Sequence, residues 1–129
     1  MTTATQTRRI VRAFNDARTV SDLAAAAALL SPTFTFQSPM LRFEGSSDYL
    51  ASHAQFQPLV TGLDLISELY GADEATLIFD LHTATPVATQ RTAEHFKLVE
   101  GRIESILLIF DASEWRPLLA TIGALPTAN

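Results

Sequence analysis

The apolar positions of this chain change period part-way along it. Between Thr7 and Arg18, the residues Ile10, Phe14 and Ala17 recur at helical spacing, while Arg8, Arg9, Arg12 and Asp16 fall on other faces. Ser21 reads as the N-cap of a second helix over Asp22 to Leu30, in which the Ala24–Ala28 run is a strong helix former. Ser31-Pro32 stops that helix. Thr33 to Gln37 alternates with period 2 and predicts a strand, which Ser38-Pro39 breaks. A loop from Met40 to Gly45 leads to a cap at Ser46 or Ser47. The third helix, about Asp48 to Gln57, carries Tyr49, Leu50, His53 and Phe56 as its apolar stripe.

After Pro58 every segment reads as strand: Gly62 to Tyr70, Ala75 to Thr83, Thr89 to Val99 and Arg102 to Asp111. Turns fall at Gly71 to Glu74, Thr85 to Val87 and Glu100-Gly101. Helices followed by a run of strands predict an α+β fold. The connections are too short for parallel crossovers, so the sheet is expected to be antiparallel. A short helix is expected around Pro117 to Ile122. The whole of residues 1–129 is expected to form one domain, with 1–5 and 124–129 frayed.

The strand Ala75 to Thr83 has one apolar face, Leu77, Phe79 and Leu81, which should look toward the helices. Its other face carries Ile78, Asp80 and His82. A hairpin turning at Pro86-Val87 puts Phe79 opposite Glu94 and His82 opposite Arg91. Thr92, Glu94, Phe96 and Leu98 then face inward, and Arg91, His95 and Lys97 outward, with Arg91 diagonal to Asp80. Glu94 thereby becomes a carboxylate on an otherwise apolar face. A one-residue slip would instead turn Asp80 and His82 inward, so register decides the site.

Composition narrows the function classes. The 129 residues are 47% hydrophobic, enough for a real core, and carry nine basic against fourteen acidic side chains, a net charge of −5. No basic run exceeds Arg8-Arg9, so no nucleic-acid partner is expected. The absence of cysteine excludes disulfides, thiolate metal sites and a cysteine nucleophile. No leader-like apolar run follows Met1, and the longest apolar stretch, Ala24 to Leu30, is far below the roughly 20 residues of a membrane span. A cytoplasmic protein without membrane contact, cofactor or bound metal is the expectation. No phosphate-binding glycine loop or HExxH zinc motif is present.

Several short motifs share an order. They are Phe36-Gln37-Ser38-Pro39 before Gly45, Phe79-Asp80-Leu81, Arg91-Thr92-Ala93-Glu94-His95-Phe96, and Glu100-Gly101-Arg102-Ile103 running to Phe110-Asp111. In order and spacing the chain resembles the nuclear transport factor 2-like superfamily, in its polyketide-cyclase (SnoaL)-like and ketosteroid-isomerase-like branch. The resemblance implies a cone-shaped, strongly curved sheet wrapped around three N-terminal helices, a cystatin-like roll. It also implies a pocket inside the cone and a homodimer formed through the outer sheet face.

The chemistries of that superfamily do not transfer intact. The position of the isomerase base falls at Ser38 and that of its oxyanion tyrosine near Phe14, so only the acid survives, as Glu94. A serine without a base does not shuttle a proton, and a phenyl ring donates to no oxyanion. The limonene-epoxide-hydrolase pattern fares no better. Its tyrosine and asparagine would fall at Phe36 and Ser38, and its charged trio around Leu77, Phe79 and Leu108.

Glu94, with His53 beside it, is therefore the candidate acid/base group, or else Glu94 anchors a ligand, or sits at the pocket edge paired to a backbone amide or an arginine. Phe14, Phe36, Ser38, Tyr49, Phe79, Phe96, Leu108 and Phe110 are the candidate pocket lining. Asp80, His82, Arg91 and His95 read as cross-strand ion pairs on the outer face. Three functions remain in play. The first is binding of a small apolar molecule, and the second is an isomerase, cyclase or hydratase using Glu94 and His53. The third is a non-catalytic dimerisation module.

Overall fold

A computed structural model describes residues 2–121 of the chain. Its first helix, α1 (Ala4–Thr19), begins earlier than the sequence pattern suggests. Thr3 and Gln6 form a reciprocal capping box, and the Thr2 amide donates to Asp73 Oδ1 at 2.8 Å. Residues 2–5, expected to fray, are thus fixed at both a cap and a loop; the expectation for 124–129 lies outside the described residues. The buried stripe of α1 is Thr7, Val11, Phe14 and Arg18, with Ile10 and Ala17 at its margin.

The second helix, α2 (Leu23–Ala28), is capped by Asp22 rather than Ser21, which instead has a positive φ of 56°. Leu30, expected to end that helix, already begins β1 (Leu30–Gln37). The loop after Pro39 contains a short strand, β2 (Arg42–Glu44), too brief to show alternation. Next comes α3 (Ser46–Phe56), entered through Gly45 at φ 96°, ψ 156°. A 3₁₀ turn (Gln57–Leu59) leads into four long strands: β3 (Val60–Gly71), β4 (Glu74–Thr83), β5 (Thr89–Val99) and β6 (Arg102–Phe110). A last helix, α4 (Trp115–Thr121), follows.

The six strands form one curved, open sheet in the order β2-β1-β6-β5-β4-β3. The expected all-antiparallel pairing holds except at β1 and β6, which run parallel. These strands are distant in sequence, so the rule that short connections forbid parallel neighbours never applied to them. The architecture is α+β, with the helices packed on the concave face.

The β4–β5 hairpin turns one residue earlier than expected. Thr83 N–H donates to Ala88 O, closing the loop on Ala84–Val87, with Ala88 at φ 61°. Leu77 therefore lies opposite Glu94, Phe79 opposite Thr92, Asp80 directly opposite Arg91, and His82 opposite Thr89. Every expected pair is displaced by two residues, and because side chains alternate with period 2, a slip of two preserves the faces. Leu77, Phe79, Thr92, Glu94, Phe96 and Leu98 are all buried on the concave side.

The core is aromatic at its centre. Phe14 meets Phe96 edge-on at 6.4 Å, Phe36 stacks on Tyr49 at 4.6 Å, and Phe34 tilts against Tyr49 at 5.3 Å. Phe14, Phe34, Phe96, Ile103 and Ile106 are fully buried. The first half of β3 differs. Leu63 and Leu65 pair with Leu81 and Phe79, and so share the concave face, yet they remain 51% and 48% exposed. Helix α1 covers only the second half, where Arg12 bonds Glu68 at 2.5 Å. The cone therefore has a closed end under α1 and an apolar mouth at the start of β3.

Candidate functional site

A buried ion pair lies where α1, α3 and β5 converge. Arg18 sits on the core-facing stripe of α1, one turn beyond Phe14, and Glu94 on the concave face of β5. Arg18 Nη1 donates to Glu94 Oε2 at 2.8 Å and Nη2 donates to Oε1 at 2.5 Å, a two-pronged contact. The same Nη1 donates to the Tyr49 hydroxyl at 2.8 Å. Glu94 is 2% exposed, Tyr49 3% and Arg18 8%. The guanidinium lies 4.8 Å above the Phe14 ring and 5.9 Å from that of Phe96, so aromatic faces enclose the charge that the carboxylate neutralises.

The electrostatics follow from that enclosure. Burial opposes the charge on Arg18, but the attraction of Glu94 and Tyr49 outweighs it and its pKa rises. Burial pushes the Tyr49 phenol up to about 12, against the opposing pull of Arg18. His53, one turn along α3 from Tyr49 with ring centroids 6.2 Å apart, is lowered to about 4, by burial first and then by the charge of Arg18. Its imidazole is neutral near pH 7. Among the described residues, two buried side-chain polar atoms have no hydrogen-bond partner, His53 Nδ1 and Asn15 Oδ1.

The sequence-predicted residues separate into three groups. Glu94 and Tyr49 belong to the ion-pair network, and His53 is its neighbour on α3. Phe14, Phe36, Phe79 and Phe96 are buried packing around it, rather than walls of an open cavity; Leu108, opposite Glu94, and Phe110, opposite Thr92, are half-buried on β6. Ser38 does turn chemistry: its Oγ accepts from the amides of Met40 and Leu41 at 3.2 and 3.0 Å. Arg18 and Asn15 were missed by sequence reading. The spacing Val11, Phe14, Arg18 carried the signal for Arg18, since it puts the arginine on the same stripe as two core residues.

The outer-face cluster forms separate pairs. Arg91 grips Asp80 with two bonds of 2.9 Å, His82 Nε2 lies 2.8 Å from Asp64, and His95 Nε2 lies 3.1 Å from Glu74. No group of three potential metal ligands comes together among the described residues. Two surface cavities among the described residues lie away from Arg18 and Glu94. One, of about 330 Å³, lies beside Gln6, Arg9 and Glu100; the other, of about 210 Å³, lies on the outer sheet face between Arg42, His95 and Lys97. At the mouth, Trp115 packs edge-on against Phe56 at 5.7 Å and donates from Nε1 to Gln90 Oε1 at 2.9 Å. No helix among the described residues is long and apolar enough to cross a membrane.

No family model and no curated protein matches the chain. Solved structures do. An NTF2-like protein of unknown function from Cytophaga hutchinsonii aligns with a TM-score of 0.70 at 26% identity, over 88% of this chain and 94% of its own. A candidate ketosteroid isomerase from Kribbella flavida aligns at 0.73 and 21% identity, over 84% and 79%. A candidate polyketide cyclase from Sinorhizobium meliloti aligns at 0.69 and 17% identity, over 78% and 93%. The chain has the nuclear transport factor 2-like fold, and its structural neighbours include members of the ketosteroid-isomerase-like and polyketide-cyclase-like branch that the sequence motifs resemble.

Proposed function

We propose that this protein binds a small, mainly apolar molecule at the mouth of its curved sheet. The observation that carries the reading is the pair Leu63 and Leu65. They point to the concave side, beside the buried Phe79, yet keep about half their surface in water. Inward-facing leucines left uncovered favour an occupant, because covering them stabilises at about 25 cal/mol per Å² of apolar surface. Deeper in the aromatic core, the Arg18–Glu94–Tyr49 network is internally matched and carries zero net charge. A cytoplasmic location and the absence of a cofactor belong to the same proposal.

The test is an NMR titration with 1-adamantanol, a compact apolar cage with one hydroxyl. Shifts concentrated at Leu63, Leu65, Phe79 and Trp115 support the reading. Saturating shifts confined to Ile78, Leu107 and Ile109 on the outer face, or none at all, would sink it.

A second reading is acid/base catalysis of the isomerase, cyclase or hydratase kind, favoured by the unpartnered Nδ1 of the neutral His53. Glu94 serves it less well, with both oxygens held by Arg18. A third concerns assembly. The outer face exposes Leu69, Ile78, Leu107 and Ile109 between its ion pairs, an apolar patch suited to a second copy of the chain.

A further inference from the structure

The outer face of the sheet carries a hollow of its own. Strand register sets two neighbouring rows of outward side chains across β2, β1, β6, β5 and β4. One row is Glu44, Thr35, Ser105, Lys97 and Glu74; the next is Arg42, Gln37, Leu107, His95 and Thr76. Thr35 and Ser105 are short, and the side chains around them are long. That difference leaves the cavity of about 210 Å³, with Thr35 and Ser105 in its floor and Arg42, Lys97, His95 and Leu107 around it. The row beyond, Ile78, Ala93 and Ile109, belongs to the exposed apolar patch, so the hollow lies at the border of that patch toward β2.

The charges around the hollow are unevenly matched. Glu74 lies directly opposite Lys97, yet its carboxylate turns one row over, to His95 Nε2 at 3.1 Å. Lys97 is left with no ion pair among the described residues. Arg42 has Glu44 at a loose 3.9 Å, with 69% and 79% of the two side chains in water. A contact of that length between solvated groups holds little energy. Glu104, beside Ser105 in the chain, accepts from the Thr33 hydroxyl at 2.7 and 2.9 Å. His95 is a wall rather than a donor, because Thr76 Oγ1 occupies its Nδ1 at 2.7 Å and Glu74 its Nε2. The hydroxyls of Thr35 and Ser105 have no hydrogen-bond partner among the described residues.

We propose that this hollow binds the phosphoryl group of a small organic phosphate. A phosphate monoester carries about −1.5 to −2 charge near pH 7, which matches the two cations Arg42 and Lys97. Its three terminal oxygens accept from the guanidinium, the ammonium and the two hydroxyls together, where a carboxylate has only two oxygens to offer. Leu107, 41% exposed at the margin, covers an apolar part of the ligand. A volume of about 210 Å³ falls below the roughly 300–1,000 Å³ of a whole small-molecule site, which suits one polar group held with its substituent in solvent. The hollow is on the opposite side of the sheet from Leu63 and Leu65 and is independent of the ligand reading at the mouth.

The test is an NMR titration with phenyl phosphate at fixed ionic strength, with benzoate as the carboxylate comparison. Saturable shifts at Thr35, Lys97, Ser105 and Leu107 are expected, with phenyl phosphate preferred by about ten-fold. Arg42→Gln/Lys97→Gln should weaken phenyl phosphate by about ten-fold, while Arg8→Gln/Arg102→Gln, which removes the same charge elsewhere, should leave it within about two-fold. Ser105→Leu keeps both cations, fills the floor and should weaken binding as much as the loss of charge. Amide dispersion in the same spectra reports that each variant is folded. No saturable shift at these positions overturns the site. So does equal weakening by both charge variants, the result of diffuse attraction to cationic surface. Benzoate bound as tightly as phenyl phosphate overturns the phosphoryl assignment, and undiminished binding in Ser105→Leu overturns the hollow as its seat.

Discussion

Arg18 on α1 holds both carboxylate oxygens of Glu94 on β5, at 2.5 and 2.8 Å, in the middle of an aromatic core. Such a pair is asymmetric in its energetics. Forming it from solvated charges gains little, but removing one partner strands the other in a medium that cannot solvate it. Arg18→Leu should therefore cost about 3–5 kcal/mol in urea denaturation. The double variant Arg18→Leu/Glu94→Leu should recover most of that loss. If the double variant is as unstable as the sum of both singles, the charges are not coupled as the geometry requires.

Tyr49 completes that network by accepting from Arg18. Tyr49→Phe should cost about 1 kcal/mol, the usual net value of one such bond. Its phenol is pushed up to about 12 when folded. The folded protein thus holds a proton that the unfolded chain releases above pH 10. Stability should fall between pH 10 and about 12, and fall less steeply in Tyr49→Phe when denaturation is followed across that range.

His53 has the opposite consequence on the acid side. Its folded pKa, lowered to about 4, lies below the unfolded value near 6.5. Between the two the unfolded chain binds the extra proton, so the stability contribution is full above 6.5 and lost as pH falls toward 4. Stability measured from pH 7 to pH 4.5 should decline more steeply in the native protein than in His53→Phe. Matching slopes would mean the ring is not shielded from water.

Gly45 enters α3 at φ 96°, ψ 156°, a region essentially reserved for glycine, although no atom would obstruct a Cβ there. Gly45→Ala should therefore destabilise by about 1–3 kcal/mol through backbone strain alone. Ala51→Gly on the same helix is a useful contrast, since it should cost less, about 1 kcal/mol, by entropy.

The exposed Ile109 and Ile78 test assembly. If two copies pair through the outer face, Ile109→Glu should halve the solution mass seen by light scattering and leave the melting of the concentrated monomer's core intact. An unchanged monomeric mass in the native protein rejects that partner.

The strand faces were legible because alternation along β4 and β5 is clean: Leu77, Phe79, Glu94 and Phe96 point where their pattern says. The pairing was not, because loop geometry at Thr83 and Ala88 sets register, and an error of two leaves the pattern untouched. The parallel contact of β1 with β6 has no local signature at all. At the site, Glu94 was visible as a misfit on an apolar face. Its partner was hidden because an arginine near a helix end ordinarily reads as solvated, and only its place in the Val11–Phe14 stripe says otherwise. Asn15, a polar residue at the border of the same stripe, had no signal that distinguished it from a surface amide.

Trp115 is the chain's only tryptophan, and its indole is held between Phe56 and Gln90. The molecule consequently carries an optical reporter of its own at the rim. Emission on selective excitation follows the docking of α4 alone, so detachment of that helix can be timed separately from collapse of the aromatic interior, without attaching a label.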